Sequence, residues 1–122
     1  MTVYDTVIIF KPDFEDRAKV ELNKLLKVYK DVAGTKRMKL EDQGVKKLAY
    51  EIKSHKYGYY VILHHEATPV QIDILENLLR VNKDVIKFMT IKIDMEPEEI
   101  EEFQSEEEKK VVDVLDIIYG LT

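Results

Sequence analysis

The chain has 122 residues, of which 45% are hydrophobic, and a formal net charge of −5. This length suits one globular domain with a modest core, and the composition is not that of a disordered chain. The absence of cysteine excludes a disulfide framework and a thiolate metal site, and it fits a reducing cytosol. The apolar runs are far shorter than the roughly 20 residues of a membrane helix, and no signal peptide is recognisable, so we expect no membrane partner.

The charge is divided unevenly along the chain. Residues 1–94 carry 17 basic and 14 acidic side chains, a balance of +3, whereas residues 95–122 carry 2 lysines and 10 acids, a balance of −8. An acidic total argues against a nucleic-acid partner, but this division weakens the objection. Because +3 is low for a domain that binds RNA through phosphates alone, we infer that any RNA affinity is weak without help from a basic partner.

The first predicted elements are a strand and a helix. Residues 3–10 alternate between two faces, which predicts a strand that ends at Lys11-Pro12-Asp13. Asp13 is the expected N-cap of the helix. Apolar residues then recur at helical spacing up to Val32, and Gly34 is typical of the residue that follows a helix.

A long hairpin follows this helix. Residues 35–43 are predicted to form the second strand, with a bulge or bend at Gly44 and a continuation to about Ile52. The predicted turn is Ser54 to Lys56, and residues 57–67 form the third strand.

A second helix and a fourth strand complete the order. Pro69 suits the first turn of the helix, and the strand is predicted from about Val85 to Asp94. The order β-α-β-β-α-β predicts an α+β fold of the ferredoxin-like, split βαβ type, with two helices on one face of a four-stranded antiparallel sheet. We assign residues 1–94 to this domain and residues 95–122 to an acidic C-terminal extension.

The extension ends in a pattern of apolar side chains. Val111, Val114, Leu115 and Ile118 fall at i, i+3, i+4 and i+7, which predicts a short amphipathic helix. Such a helix is marginal in water by itself, so we expect it to dock on its own body, on a second copy or on a partner.

Three segments carry a resemblance to a known family. They are Tyr4–Pro12, Leu79–Phe88 and above all Gly44–Lys53, in which a glycine and a basic pair precede Leu-Ala-Tyr. Over residues 1–94 the chain resembles the bacterial small-subunit (30S) ribosomal protein S-six family. The resemblance implies a structural role on the cytoplasmic ribosome, where the small-subunit protein numbered eighteen is the partner and the pair binds the central domain of 16S rRNA.

The alternation of the strands predicts that both faces of the sheet are apolar. Tyr4, Ile8, Phe10, Tyr59, Val61, Leu63 and Phe88 are expected beneath the helices. The opposite face then carries the candidate partner-binding residues Val7, Ile9, Tyr60, Ile62, Met89, Ile91 and Ile93. An apolar face of this size indicates an interface. A protein partner or self-association, the C-terminal helix, or stacked RNA bases would each explain it.

Basic side chains are the candidate contacts to rRNA phosphates. The resemblance implies this role for Arg80, Lys83, Lys87 and Lys92, and for the basic pair Lys46 and Lys47, which could instead meet an acidic group of the partner. Arg80 could instead brace its local turn, although its planar fork binds phosphate or carboxylate bidentately. For the lysines the alternative is a solvated role in protecting sheet edges from wrong pairing.

The sequence offers no catalytic site. His64 and His65 are adjacent on a strand, so they face opposite ways and cannot easily chelate one metal. There is no cysteine, no Gly-x-Ser-x-Gly elbow and no phosphate-binding glycine loop. We therefore expect no enzyme, no metal and no cofactor. The alternative to a ribosomal protein is a ferredoxin-like regulatory or ligand-binding module that dimerises through its open sheet face.

Overall fold

The computed structural model describes residues 2–104, which form an antiparallel sheet packed against two helices. The elements are β1 (Thr2–Phe10), a 3-10 helix (Pro12–Arg17), α1 (Ala18–Ala33), β2 (Met38–Ile52), β3 (His55–Ala67), α2 (Pro69–Arg80), β4 (Val85–Ile93) and a second 3-10 helix (Pro97–Glu99). The strand order is β2-β3-β1-β4, and each neighbouring pair is antiparallel. This is the predicted ferredoxin-like split βαβ fold.

The start of the first helix differs from the prediction. Asp13 is not the N-cap, because it lies inside the 3-10 helix, and α1 begins only at Ala18. The reason is the burial of Phe14, whose ring stacks on Phe10 with centroids 4.0 Å apart. The end of the helix agrees with the prediction, since Gly34 caps it in the left-handed conformation at φ 81°.

The β2–β3 hairpin confirms the predicted bulge and corrects the predicted turn. Gly44 has φ 72° and lies at a shift in the strand register, which confirms the bulge. The predicted turn at Ser54 to Lys56 is wrong, because the turn residues are Lys53 and Ser54, both with positive φ, and β3 begins at His55. Two consecutive left-handed residues match the twist of a tight hairpin. Lys and Ser are not the residue types that usually mark such a turn, so the sequence did not indicate its position.

The main core lies between the sheet and the helices. Strand residues Ile8, Phe10, Tyr59, Val61 and Leu63 are buried there against Leu22, Leu26, Leu75 and Leu79 of the helices. Phe88, at the sheet edge, is partly buried against this core, and Tyr4 is half-buried. The predicted inner face is therefore the observed one.

A polar chain crosses this core. The two ring nitrogens of His65 each form a hydrogen bond, Nδ1 with Tyr29 Oη and Nε2 with Thr6 Oγ1, both at 2.8 Å. Thr6 also bonds to Thr90 Oγ1 at 2.9 Å, so the chain joins α1 to three strands. Burial lowers the pKa of His65 to about 4, which keeps the ring neutral.

The far half of the hairpin curls across the opposite face of the sheet. Leu48 is buried there against Ile9 and Ile86, forming a second, smaller core. The hydroxyl of Tyr50 accepts a hydrogen bond of 2.9 Å from Lys87 Nζ, although β2 and β4 are the two outer strands of the sheet. The open face is thus covered in part by the chain's own hairpin.

The described part of the C-terminal extension packs against the domain. Ile100 is 2% exposed, and its carbonyl accepts a hydrogen bond of 2.7 Å from Arg37 Nη1. The backbone N–H of Phe103 donates to the carbonyl of Lys36 at 2.8 Å. Residues 97–103 therefore form a strap across the start of β2. The amphipathic helix predicted over Val111 to Ile118 lies outside the described residues.

Candidate interface on the open sheet face

A groove of about 200 Å³ lies on the open face, between the curled hairpin and strands β1 and β4. Its apolar lining comes from Val7, Ile9, Leu48, Ile52 and Met89, and Tyr50 and Tyr60 contribute to its walls. The groove exists because the hairpin touches the sheet through Leu48 and Tyr50 and leaves the space beside them unfilled.

The candidate partner-binding residues share this face but differ in exposure. The register places Val7 opposite both Ile62 and Met89, so these three side chains form one row across the sheet. Met89 is 57% exposed and Ile91 48%, whereas Ile62 and Ile93 are half-buried.

Ile9 is the exception among these candidates. It is 8% exposed and belongs to the second core with Leu48 and Ile86, so its side chain is already used within the chain. Val7, Ile9, Tyr60 and Met89 all line the groove.

Two of the candidate RNA-binding lysines lie over tyrosine rings on this face. Lys46 Nζ is 5.8 Å from the centroid of Tyr60, and Lys87 Nζ is 5.5 Å from that of Tyr50. The hydrogen bond that Lys87 Nζ donates to the Tyr50 hydroxyl raises the pKa of Lys87, and the same contact lowers the pKa of Tyr50. Each ring holds its ammonium group beside the groove by cation–π attraction.

The basic pair is divided between the two faces. Lys46 pairs with Gly58, and Lys47 pairs with Tyr57, so their side chains leave β2 in opposite directions. Lys46 points to the open face, as its approach to Tyr60 shows, and Lys47 to the other. The two lysines therefore cannot serve one flat surface together.

The remaining basic candidates follow the edge of β4. Arg80 ends α2, where it donates to Asn77 Oδ1 at 2.9 Å and lies 5.6 Å from the ring of Phe88. Arg80 and Lys87 line a shallow depression together with Lys53.

Lys83 and Lys92 lie apart from this depression. Lys83 is exposed in the turn before β4. Lys92 is exposed opposite Tyr4, on the helix side of the strand.

A carboxylate–histidine cluster on the open face was not predicted. His64 Nδ1 lies 2.5 Å from Asp5 Oδ1, and Nε2 lies 3.0 Å from Glu41 Oε2. Burial opposes protonation of the ring, but the hydrogen bonds to Glu41 and Asp5 outweigh it and raise the pKa of His64. The alternation of the strands could have placed His64 and Asp5 on this face, since it already separated His64 from His65.

The described residues hold no metal-ligating cluster and no membrane-spanning helix. Within residues 2–104, no group of three His, Asp or Glu side chains is arranged to hold a metal ion. Neither α1 nor α2 is long and apolar enough to cross a membrane.

The sequence of this domain matches a known family. A sequence model described as "Ribosomal protein S6" matches residues 3–92. The chain belongs to the ribosomal protein S6 family. It is a small-subunit ribosomal protein, and this family is one of structural ribosomal proteins and not of enzymes. The predicted family is confirmed, and the expected location on the cytoplasmic ribosome follows from it.

Individual S6 proteins support this membership. The small ribosomal subunit protein bS6 of Helicobacter acinonychis (strain Sheeba) is 39% identical over 101 residues, covering 80% of this chain and 69% of the relative. The bS6 protein of Thermosynechococcus vestitus is 29% identical over 109 residues, which cover 89% of this chain and 93% of the relative.

A solved S6 structure matches the fold. The crystal structure of 30S ribosomal protein S6 from Thermotoga maritima superposes with a TM-score of 0.66 at 28% identity, covering 75% of this chain and 87% of the other. The shared fold confirms the predicted ferredoxin-like architecture for this S6 family member.

Proposed function

We propose that this S6 family member binds the central domain of 16S rRNA cooperatively with the small-subunit protein numbered eighteen. The open sheet face is the partner surface, and the basic side chains along β4 contact phosphates. The observation that carries the proposal is the apolar groove of the open face, with exposed Met89 and Ile91 near it and Lys46 and Lys87 at its margins.

The shape of the open face supports a protein occupant. Its apolar surface is aliphatic for the most part, and exposed apolar surface of this kind marks protein interfaces. The groove beside Leu48 is concave, so it can take an anchoring side chain from a partner, which is where interface energy concentrates. Stacked bases would need open aromatic faces, but the Tyr50 and Tyr60 rings already carry Lys87 and Lys46.

The positions of the basic side chains support RNA binding along the outer strand β4. Arg80 and Lys87 lie around one depression, Lys83 precedes the strand, and Lys92 extends the charge to the helix side. These four cations lie on or near an outer strand, where an RNA backbone can approach, and Lys87 also borders the groove, so RNA bound there would lie beside the partner. Their small number explains why the domain would bind weakly without a basic partner.

The test is binding to a central-domain 16S rRNA fragment at fixed salt, with and without the protein-eighteen partner. We expect binding only when the partner is present. Charge reversal by Arg80→Glu with Lys87→Glu should weaken binding of the pair and reduce the salt dependence by about one phosphate contact per residue. Lys24→Glu with Lys27→Glu on α1 is the matched control, because it changes the charge equally away from β4.

Two results would contradict the proposal. An unchanged affinity and salt dependence in the Arg80 and Lys87 variant would remove the assigned phosphate contacts. No RNA binding with or without the partner, together with a stable homodimer in solution, would instead favour a module that dimerises through its open sheet face.

A further inference from the structure

A larger groove lies on the helix side of the sheet, between α1 and the first part of β2. Its volume is about 560 Å³. The apolar lining consists of Ala18, Leu22, Leu26, Met38, Leu40, Val61 and Phe103. The polar or charged residues Glu15, Lys19, Asn23 and Asp42 also line it. It is separate from the open-face groove, which lies on the other side of the sheet.

We propose that the C-terminal segment of this same chain occupies the groove. Residues 105–122 lie outside the described residues, and the last described residues already reach the site. The side chain of Phe103 contributes to the groove lining, and its carbonyl accepts a hydrogen bond of 3.1 Å from Lys30 Nζ on α1. Residues 105–122 therefore follow closely on a point of the chain that is held at the groove. This tether gives them a higher effective concentration at the groove than a free partner has.

The sequence of the segment fits the lining of the groove. Val111, Val114, Leu115 and Ile118 form one apolar stripe at helical spacing, which needs an apolar surface to be stable. As a helix this stripe spans about 10 Å, and the groove follows α1 from Leu26 to Ala18, about 12 Å. The lengths of the stripe and the groove therefore match.

The connection is long enough for this docking. At Glu102 the backbone runs antiparallel to the start of β2, so it must turn back to enter the groove. Residues 104–110 provide seven residues, which reach about 23 Å when extended. This reach exceeds the width of a helix, so the reversal is geometrically allowed.

This docking leaves the open face free, so it does not depend on the proposed ribosomal binding. A helix on the α1 side cannot cover Met89 or Ile91, which lie across the sheet. Loss of the tail contact would leave the RNA proposal untouched, and loss of RNA binding would leave this one untouched.

The experiment uses the full chain, whose lack of cysteine allows a single spin label at Asp113→Cys, opposite the apolar stripe. We expect the amide resonances of Leu22, Leu26 and Leu40 to lose most of their NMR intensity, and those of Met89 and Ile91 to lose much less. Unattenuated groove amides, or attenuation centred on the open face, would overturn the proposal.

Three further samples test the contact and separate the possible occupants. Val114→Asp with Leu115→Asp should restore the groove resonances, whereas Asp116→Asn, on the polar side of the stripe, should leave the attenuation unchanged. Isotope-labelled chain without spin label is then mixed with unlabelled chain that carries it. Attenuation that persists in this mixture would show that a second copy fills the groove, and would overturn docking within one chain.

Discussion

His65 and His64 are neighbours in the sequence with opposite electrostatic surroundings. The His65 ring is buried and bonded to the neutral hydroxyls of Tyr29 and Thr6, so burial dominates and lowers its pKa to about 4. The His64 ring meets the carboxylates of Asp5 and Glu41, which raise its pKa despite partial burial. Successive side chains of a strand leave it on opposite faces, and this alone separates the two environments.

The depressed pKa of His65 predicts acid sensitivity of the fold. The unfolded histidine titrates near 6.5, so the unfolded state binds more protons between pH 6.5 and pH 4. The free energy of unfolding should therefore fall as pH drops through this window, by about 3 kcal/mol at its lower end. Urea unfolding as a function of pH measures this loss. In His65→Gln, the part of the pH dependence of unfolding free energy that arises from this histidine should vanish, whereas His55→Gln in the hairpin should keep it. The same pH dependence in the unmodified protein and both variants would contradict the prediction.

The raised pKa of His64 predicts a change of stability with pH that is opposite in sign to the change predicted for His65. Its stabilising contribution is fully present below the unfolded pKa of about 6.5 and is lost as pH rises through the folded pKa. An NMR titration of the imidazole resonances should give a midpoint above that of a free histidine. Asp5→Asn should lower the midpoint, because one of the two carboxylates is removed, while Asp73→Asn on α2 should not change it. A midpoint at or below the free value would refute the assignment of the cluster.

The β2–β3 hairpin is the element that shapes the candidate interface. Its far half leaves the sheet plane so that Leu48 meets Ile9 and Tyr50 meets Lys87. Gly58 allows this approach, since a Cβ there would lie 2.4 Å from Ile9 Cγ2 and 3.3 Å from Leu48 Cδ2. The hairpin and the sheet therefore form one surface only because a side chain is missing at this position.

Gly58→Ala should destabilise the domain by about 1–3 kcal/mol through overpacking against Ile9. The cost should shrink in the background of Ile9→Ala, because the clashing methyl group is then gone, and a double-mutant cycle in urea measures this coupling. Gly44→Ala is the control. No atom lies within 4 Å of a Cβ at Gly44, so its cost of about 1 kcal/mol arises from its φ of 72° and should not change with Ile9→Ala. Additive effects of Gly58→Ala and Ile9→Ala would disprove the close approach.

On the scale of the whole molecule, the strap of residues 97–103 joins the C-terminal extension to the domain. Ile100 is buried, Arg37 donates a hydrogen bond to its carbonyl, and the carbonyl of Lys36 accepts one from the N–H of Phe103. A truncation after Asp94 therefore removes core packing, whereas a truncation after Gln104 removes only residues that follow the strap. These two truncations are not equivalent tests of the acidic segment.

The chain that ends at Asp94 should be less stable than the chain that ends at Gln104. Loss of buried Ile100 alone should cost about 2–4 kcal/mol, so the chain ending at Asp94 should unfold at lower urea concentration than the chain ending at Gln104. Ile100→Ala in the full chain should reproduce most of the difference, while Glu98→Ala on the same strap, which is exposed, should not. Equal midpoints for the two truncations would show that the strap contributes nothing to stability.

The same strap changes how the acidic segment is tested on RNA. We expect the acids Glu106, Glu107 and Glu108, which precede the apolar stripe, to compete with RNA for basic side chains until a partner binds, because they follow a domain whose charge balance is only +3. Truncation after Gln104 should then raise non-specific RNA binding, measured at fixed salt without partner. A full-length variant with Glu106, Glu107 and Glu108 changed to glutamine should do the same without shortening the chain. Unchanged binding in both would remove this role.

The sequence by itself determined the order of the elements, the inner face of the sheet and the family. These follow from local periodicity and from short segments such as Gly44–Lys53, because the period of a strand or helix is set by its own backbone. The bulge at Gly44 was predictable for the same reason. The start of α1 was not, because it depends on how Phe14 packs against Phe10.

Only the tertiary structure decided what the open face contains. Tyr50 meets Lys87, and His64 meets Glu41, across sequence separations that no periodicity reports. The twist of the hairpin and the strand order β2-β3-β1-β4 create these contacts, and both are properties of the assembled sheet. The residues of the interface could therefore be assigned to a face from sequence, but their exposure and their partners required the folded chain.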